Sequence, residues 1–173
     1  VQMMVTGTDI EHSRAALGLA ERWPAVVTTT AGVHPHHADE YDEASTEQLA
    51  ELAADPRVVA VGECGLDYNR NLSTPRNQRR AFEQQLEIAR SCGKPVFLHQ
   101  RDAFDDFLAI MRDAMGDIAG GVAHCFTDGP AQAEAFLDIG LAIGVTGWIC
   151  DERRGQALQQ AVKQIPLDRV MME

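Results

Sequence analysis

The stretch Arg57-Val58-Val59-Ala60-Val61-Gly62-Glu63-Cys64 runs from Val58 to Gly62 with no polar alternation and then meets a carboxylate. A β-branched run of that kind fits a strand covered on both faces of a parallel sheet, whereas a half-exposed strand alternates. Working outward, similar short runs lie at residues 3–6, 26–33, 95–99, 121–125, 141–146 and 168–173. With 57–64 they make seven predicted strands. Their starts average about 28 residues apart, which leaves room for a helical crossover each time.

The intervening segments carry helix signals. Thr8 or Asp9 can cap a helix bearing Ala16, Leu17, Leu19 and Ala20 that Pro24 stops. Ser45 and Gln48 have capping-box spacing ahead of Leu49 and Leu52, and Thr74-Pro75 sets a cap before a first-turn proline. Phe82, Leu86 and Ala89 then share one face, and Gly93 marks the stop. Asp102 or Asp105 opens a fourth helix, and 131–139 and 155–164 supply two more. The order βαβαβαβαβαβαβ calls for parallel strands joined by right-handed crossovers. Two α/β architectures fit, an open doubly wound sheet and a (β/α)8 barrel. The first turn, Thr6-Gly7-Thr8-Asp9, lacks the glycine spacing of a dinucleotide fold. Length favours the open sheet, because a barrel has eight strands and typically about 250 residues. The polar residues below favour the barrel. No linker or low-complexity stretch divides residues 1–173, so one domain is expected.

The chain has 173 residues, 45% apolar and 24% charged, which places it among ordinary globular sequences. Its formal charge of −11 argues against a long non-specific nucleic-acid surface, which needs clustered Lys and Arg. An enzyme that reaches nucleic acid through a metal remains compatible with that charge, since carboxylates are hard ligands. No run approaches the roughly 18 apolar residues of a membrane span, and no basic-then-apolar leader is visible, so no membrane association is expected. Cys64, Cys92, Cys125 and Cys150 show no CxxC spacing and read as reduced thiols of a cytoplasmic protein. Cys64 and Cys125 read as packing residues.

Three apolar runs close on a metal-type ligand: Glu63, His99 and His124. A barrel displays its active-site residues at that end of each strand, where a charged or imidazole group must pair or bind an ion. Taken singly, each is as readily a hydrogen-bonded structural residue, and Glu63 could pair with Arg101. Together they suit Zn²⁺, Mn²⁺ or a related ion, whereas carboxylates and water alone would favour Mg²⁺. Val33-His34-Pro35-His36-His37 leaves another strand. His34 lies nearest the strand end, His36 could also touch a phosphate or metal, and His37 fits an exposed loop. Two roles fit Asp67: a water-orienting base or partner of a ligand histidine, and a turn residue capping the loop after it. Arg101 could hold a phosphate, and Asp102 fits a helix cap. Trp148 and the run Asp151-Glu152-Arg153-Arg154 could contact substrate, though a solvated charge run is the simpler reading.

Four further motifs carry a resemblance: Val33-His34-Pro35-His36, Gly62-Glu63-Cys64-Gly65-Leu66-Asp67-Tyr68, Phe97-Leu98-His99-Gln100-Arg101-Asp102-Ala103 and Ala123-His124-Cys125-Phe126-Thr127. In that order they resemble the TatD-type deoxyribonucleases, which belong to the metal-dependent amidohydrolase-like barrels. Residues 145–155, Val-Thr-Gly-Trp-Ile-Cys-Asp-Glu-Arg-Arg-Gly, resemble the TatD branch more than its paralogues. The resemblance covers essentially the whole chain. It implies a (β/α)8 barrel, of which this sequence covers about seven strands. It also implies a divalent-metal centre and 3′→5′ exonuclease hydrolysis of phosphodiester bonds in DNA and RNA.

Carried over by position, Glu63, His99 and His124 match metal ligands and His34 a residue facing the site. His34, Asp67 and Arg101 are the expected catalytic residues, and His34, His36 and Arg101 the expected substrate contacts. The expected cofactor is a divalent ion, Mg²⁺ first, with Zn²⁺ or Mn²⁺ as alternatives. DNA or RNA is the expected partner, as substrate, and no obligate protein partner is evident. Gln100 stands where Cys or Ser is usual, and Asp128 where Gly is usual. The family's first strand would precede Val1, and a ligand Asp would follow Glu173 by two residues. A barrel incomplete at both ends is therefore expected. Two alternatives stay open: a barrel metallohydrolase acting on an amide or ester such as an aminoacyl product, and a barrel fragment without turnover.

Overall fold

All seven predicted strands form, and their order in space repeats their order in the chain. The structure is a computed structural model describing residues 2–173; Val1 lies outside the described residues. The elements are β1 (Met3–Val5), α1 (Ile10–Arg22), β2 (Val27–Ala31), α2 (Glu43–Ala54), β3 (Val58–Asp67), α3 (Pro75–Cys92) and β4 (Val96–Arg101). They continue as α4 (Phe104–Ala114), β5 (Gly121–Ala123), α5 (Pro130–Asp138), β6 (Ala142–Val145), α6 (Gln156–Ala161) and β7 (Val170–Met172). Every ladder is parallel and joins consecutive strands. Met4 of β1 and Met171 and Met172 of β7 line one cavity of about 510 Å³ with Phe97 and His124. The sheet therefore curls until its first and last strands face one hollow, as in a (β/α)8 barrel. Among the described residues no ladder joins β1 to β7.

Packing follows the two faces of the sheet. Val96 and Leu98 of β4 point toward the helices, where Phe82 and Phe107 stack with ring centroids 5.4 Å apart and Phe136 meets Phe104, Phe107 and Phe126. The residue between them, Phe97, turns to the other face and packs with Ala60, Val122 and Ala142 from the neighbouring strands. That alternation is the period of two that a strand imposes. It places Phe97 inside the curl, stacked on His124 with centroids 4.6 Å apart.

The caps correct several sequence expectations. Asp9 caps α1, accepting from the His12 N–H at 2.7 Å. The capping box of α2 is Asp42 with Ser45, three residues before the pair expected, because Ser45 occupies the third helical position. Thr74 stands at the N-cap of α3 without a capping bond, its hydroxyl being spent on Asp39 at 3.0 Å. Gly93 ends that helix at φ 65°, as its position suggested. Asp102 is not the cap of α4. It lies at φ 52° with its carboxylate accepting from Asn69 at 2.7 Å, while Gln100 Oε1 takes the Ala103 N–H at 3.0 Å.

The strand ends are also corrected. β3 runs to Asp67 and β4 to Arg101, pairing Gly65 with His99 and Asp67 with Arg101. Glu63 and His99 therefore lie inside their strands. The β3–β4 register shifts between Val61 and Cys64, so Glu63 sits on an irregularity that re-aims its side chain. Two glycines permit this. Gly62 (φ 140°) and Gly65 (φ 141°) press against the carbonyls of Phe97 and His99, where a Cβ would collide.

Candidate metal centre

Glu63 is the hub of the site. Its N–H donates to the Gly7 carbonyl at 2.8 Å, which anchors the strand irregularity to the turn after β1. Its Oε1 then meets three imidazoles: His124 Nε2 at 2.8 Å, His99 Nδ1 at 3.1 Å and His34 Nε2 at 3.4 Å. The carboxylate is buried, and so is His34. His34 opens the 3₁₀ turn Pro35–Glu40, where its Nδ1 accepts from the His36 N–H at 3.1 Å. That bond fixes the ring so that Nε2 is the nitrogen presented to Glu63.

A second carboxylate backs the first. Asp67 Oδ2 accepts from His36 Nε2 at 2.8 Å and His99 Nε2 at 3.3 Å, while Oδ1 caps the Arg70 N–H at 2.8 Å. Asp67 thus faces two histidines through one oxygen and caps its own turn through the other. His99 thus stands between Glu63 and Asp67, one ring nitrogen to each.

Helix α3 fixes the backbone beneath these groups. Gln78 and Gln85, both fully buried, lie two turns apart on its inner face. Gln78 accepts from the Asp67 N–H at 2.8 Å and donates to the Asp67 carbonyl at 3.1 Å. Gln85 does the same for Val33, at 2.7 and 3.0 Å, just before His34. Each amide acts as a strand partner for a residue whose neighbour, or whose own side chain, enters the site.

The electrostatics follow from that crowding. Burial opposes the charge on Glu63, yet hydrogen bonds from His124, His34 and His99 hold its carboxyl far below the usual carboxylate range. Burial lowers His34. Burial also opposes the charge on His124, but Glu173 and Glu63 outweigh it and push that imidazole up to about 10. Asp67 stays low despite burial, through the Arg70 N–H and His36.

The chemistry of this donor set suits a cation. One ligand atom from each of His34, Glu63 and His99 lies within 4.8 Å of the others. A buried carboxylate ringed by imidazoles is the nitrogen-and-oxygen set that Zn²⁺, Mn²⁺ and similar ions take. His124 joins through Glu63 and is tied on its far side to Glu173 Oε2 at 3.2 Å.

The structure thus gathers His34, His36, Glu63, Asp67, His99 and His124. Arg101 stands apart at the end of β4; it pairs with neither Glu63 nor any other carboxylate among the described residues, and its guanidinium lies 5.7 Å from the Trp148 ring. His37 is exposed, as its loop position suggested. Glu173 was missed, although the rule that singled out His124 applies to it: it follows the apolar run of β7. Besides His124, it accepts from the Cys125 N–H at 3.0 Å. Gln78 and Gln85 were missed because their signal, two glutamines on an apolar helix face, reads first as solvent exposure.

Fold and cluster together define a (β/α) barrel with a carboxylate–imidazole centre on its inner face. The chain matches the family described as TatD related DNase over residues 1–173, and it belongs to that family. It is 49% identical over 171 residues to the 3'-5' ssDNA/RNA exonuclease TatD of Erwinia billingiae (strain Eb661), covering 99% of this chain and 66% of that protein. It is 48% identical to the protein of the same name from Musicola paradisiaca (strain Ech703), covering 99% and 65%. The chain therefore spans just under two thirds of the length of these relatives. Among solved structures, it resembles YJJV, a TatD homolog from Escherichia coli K12, with TM-score 0.90 and 30% identity, covering 99% of this chain and 66% of that one. A TatD family hydrolase from Entamoeba histolytica gives TM-score 0.86 at 26% identity, covering 99% and 59%.

Proposed function

We propose that this chain, acting as one domain, carries the catalytic centre of a divalent-metal-dependent 3′→5′ exonuclease on single-stranded DNA or RNA. The observation that carries the reading is the meeting of three imidazole nitrogens within 3.4 Å of one buried carboxylate oxygen, Glu63 Oε1. The names of the relatives supply the substrate class.

Glu63, His99 and His124 are the proposed ligands, with His34 beside them. A divalent ion held there would supply a Lewis acid for a phosphoryl oxygen and lower the pKa of water. Imidazole donors favour Zn²⁺ or Mn²⁺ over Mg²⁺. Asp67 orients His99 and His36 through its single Oδ2. Arg101, which makes no ion pair with a carboxylate among the described residues, is the cation proposed to meet a phosphate. Among the described residues no helix is long and apolar enough to cross a membrane; the proposed cytoplasmic placement rests instead on the four cysteines, all free thiols.

One observation favours the amide or ester alternative. A cavity of about 560 Å³, lined by Tyr68 and Gln100, the residues that follow Asp67 and His99, is also lined by Asp102, Asp105, Asp106 and Asp128, which repel phosphates. A direct comparison decides. Protein stripped with chelator and reloaded with Zn²⁺, Mn²⁺ or Mg²⁺ is expected to release nucleotides from a 5′-labelled single-stranded oligomer, and to leave aminoacyl esters intact. Ester cleavage without nucleotide release would overturn the proposal.

A further inference from the structure

The rim of the site carries an aromatic ring and cations that the metal chemistry does not use. Trp148 lies in the 3₁₀ turn Gly147–Cys150 after β6. The Arg154 guanidinium stands 4.3 Å from its ring centroid and the Arg101 guanidinium 5.7 Å. Arg101 ends β4, Trp148 follows β6, and β5 runs between them. The Arg101–Trp148 contact therefore spans the strand that delivers His124. Trp148 is also tied to that strand. Its N–H donates to Thr146 Oγ1 at 3.3 Å, and that oxygen lies 3.9 Å from Cys125 Sγ.

Glu152, Arg153 and Arg154 are exposed, as a solvated charge run would have them, and the loop that carries them is held by its own hydrogen bonds. Asp151 Oδ1 accepts the N–H groups of Arg153 and Arg154, and its Oδ2 accepts Arg154 Nε at 2.9 Å. Gly155 N–H closes the loop on the Asp151 carbonyl at 2.8 Å, and the Gln159 amide donates to Ile149 at 2.7 Å. Within it the indole Nε1 of Trp148 is buried with no partner among the described residues. A buried donor without a partner is costly, so the ring is not held there to satisfy its own polar atom.

The two arginines differ. Asp151 neutralises Arg154, whereas among the described residues Arg101 makes no ion pair with a carboxylate, Asp128 sensing its charge only at a distance. Beside an acidic cavity, in a chain of net charge −11, an unpaired cation next to an aromatic ring matches a base joined to a phosphate. We propose that Trp148 is the platform on which a nucleobase of a single-stranded substrate stacks, with Arg101 on the adjoining phosphate, so that the strand crosses the mouth over His124. This rests on the nuclease reading above and adds its base-recognising residue. A base paired in a duplex cannot reach a half-buried ring, so the platform selects unpaired ends.

Trp148 shares the chain with one other tryptophan, Trp23, exposed at the end of α1. Trp23→Phe leaves Trp148 as the only indole reporter. Metal-stripped protein is titrated with a dT 12-mer and with an abasic deoxyribose-phosphate oligomer of equal length. The dT oligomer is expected to quench the fluorescence to saturation, and the abasic oligomer to leave it nearly unchanged. Affinities are read separately from the anisotropy of a fluorescein label on each oligomer: Trp148→Ala is expected to weaken dT binding about tenfold or more, with an effect of less than about twofold on the abasic oligomer. Arg101→Ala is expected to weaken both alike. Equal quenching by both oligomers, or none by either, overturns the proposal. Nucleotide release, measured separately on reloaded protein, keeps the two readings apart. Quenching without release refutes the nuclease and leaves the platform standing, while release without quenching does the reverse.

Discussion

Glu63 Oε1 stands 2.8 Å from His124 Nε2, although β4 lies between the strands that bring them. The irregularity at Gly62–Glu63 lets the carboxylate reach past its neighbouring strand. Glu63→Gln keeps the shape and removes the charge on which the imidazoles converge. Substituting outer partners of metal ligands costs about 10–100-fold in affinity. A direct ligand should cost at least about 100-fold, read as a rise in Kd by calorimetric titration with Zn²⁺ or Mn²⁺. Unchanged affinity would remove Glu63 from the centre.

Asp67→Asn tests the outer partner. Asparagine can still accept the Arg70 N–H through one oxygen, so the turn survives. The charge facing His99 and His36 is lost. Metal affinity or nucleotide release should fall about 10–100-fold, with a stability change within about 1 kcal/mol. A large loss of stability with intact metal binding would make Asp67 a turn residue only.

The metal-free protein should show a defined pH window. His124 is raised from its ordinary 6.5 to about 10, so its ion pairs stabilise fully below about pH 6.5 and lose that effect as pH climbs toward 10. Glu63 is depressed from 4.5, so its contribution is present above that value and lost in acid. Burial holds His34 below its ordinary 6.5, so its contribution also weakens as pH falls below that value; stability by urea denaturation should therefore be greatest near pH 6–6.5 and decline at pH 9, and His124→Gln should flatten the alkaline limb. Because a ligand imidazole must be neutral, metal binding at pH 7 should release protons, seen as a buffer-dependent calorimetric heat. A wild-type stability equal at pH 6 and pH 9 would contradict this.

The outline of the barrel was legible because buried parallel strands announce themselves: Val58–Gly62 and its counterparts carry no alternation. Glu63, His99 and His124 stood out only as a set, three ligand-type residues each closing an apolar run, since any one of them alone reads as readily as a structural residue. What was hidden depends on contacts distant in sequence. Asp42 outcompetes the expected Ser45 cap because the chain enters α2 one turn earlier. Asp102 turns away from its helix to meet Asn69, 33 residues back. Gln85 reaches Val33 across 52 residues, and no local pattern marks a polar side chain as a backbone clamp.

That clamp gives the last prediction. Gln85 is fully buried and saturates both backbone groups of Val33, itself buried, immediately before His34. Gln85→Leu fills nearly the same volume, so little cavity forms, but it strands one N–H and one carbonyl. Each orphan costs about 1–3 kcal/mol, so urea denaturation should report a loss of about 2–6 kcal/mol. The freed Val33 backbone should also loosen His34 and weaken metal binding. The neighbouring Gln84 supplies the control, because its Oε1 is buried and already without a partner. Gln84→Leu removes an unsatisfied acceptor and should be neutral or slightly stabilising. Equal costs for the two substitutions would mean that α3 tolerates leucine poorly at any inward position, and that the amide clamp on Val33 is not what holds His34 in place.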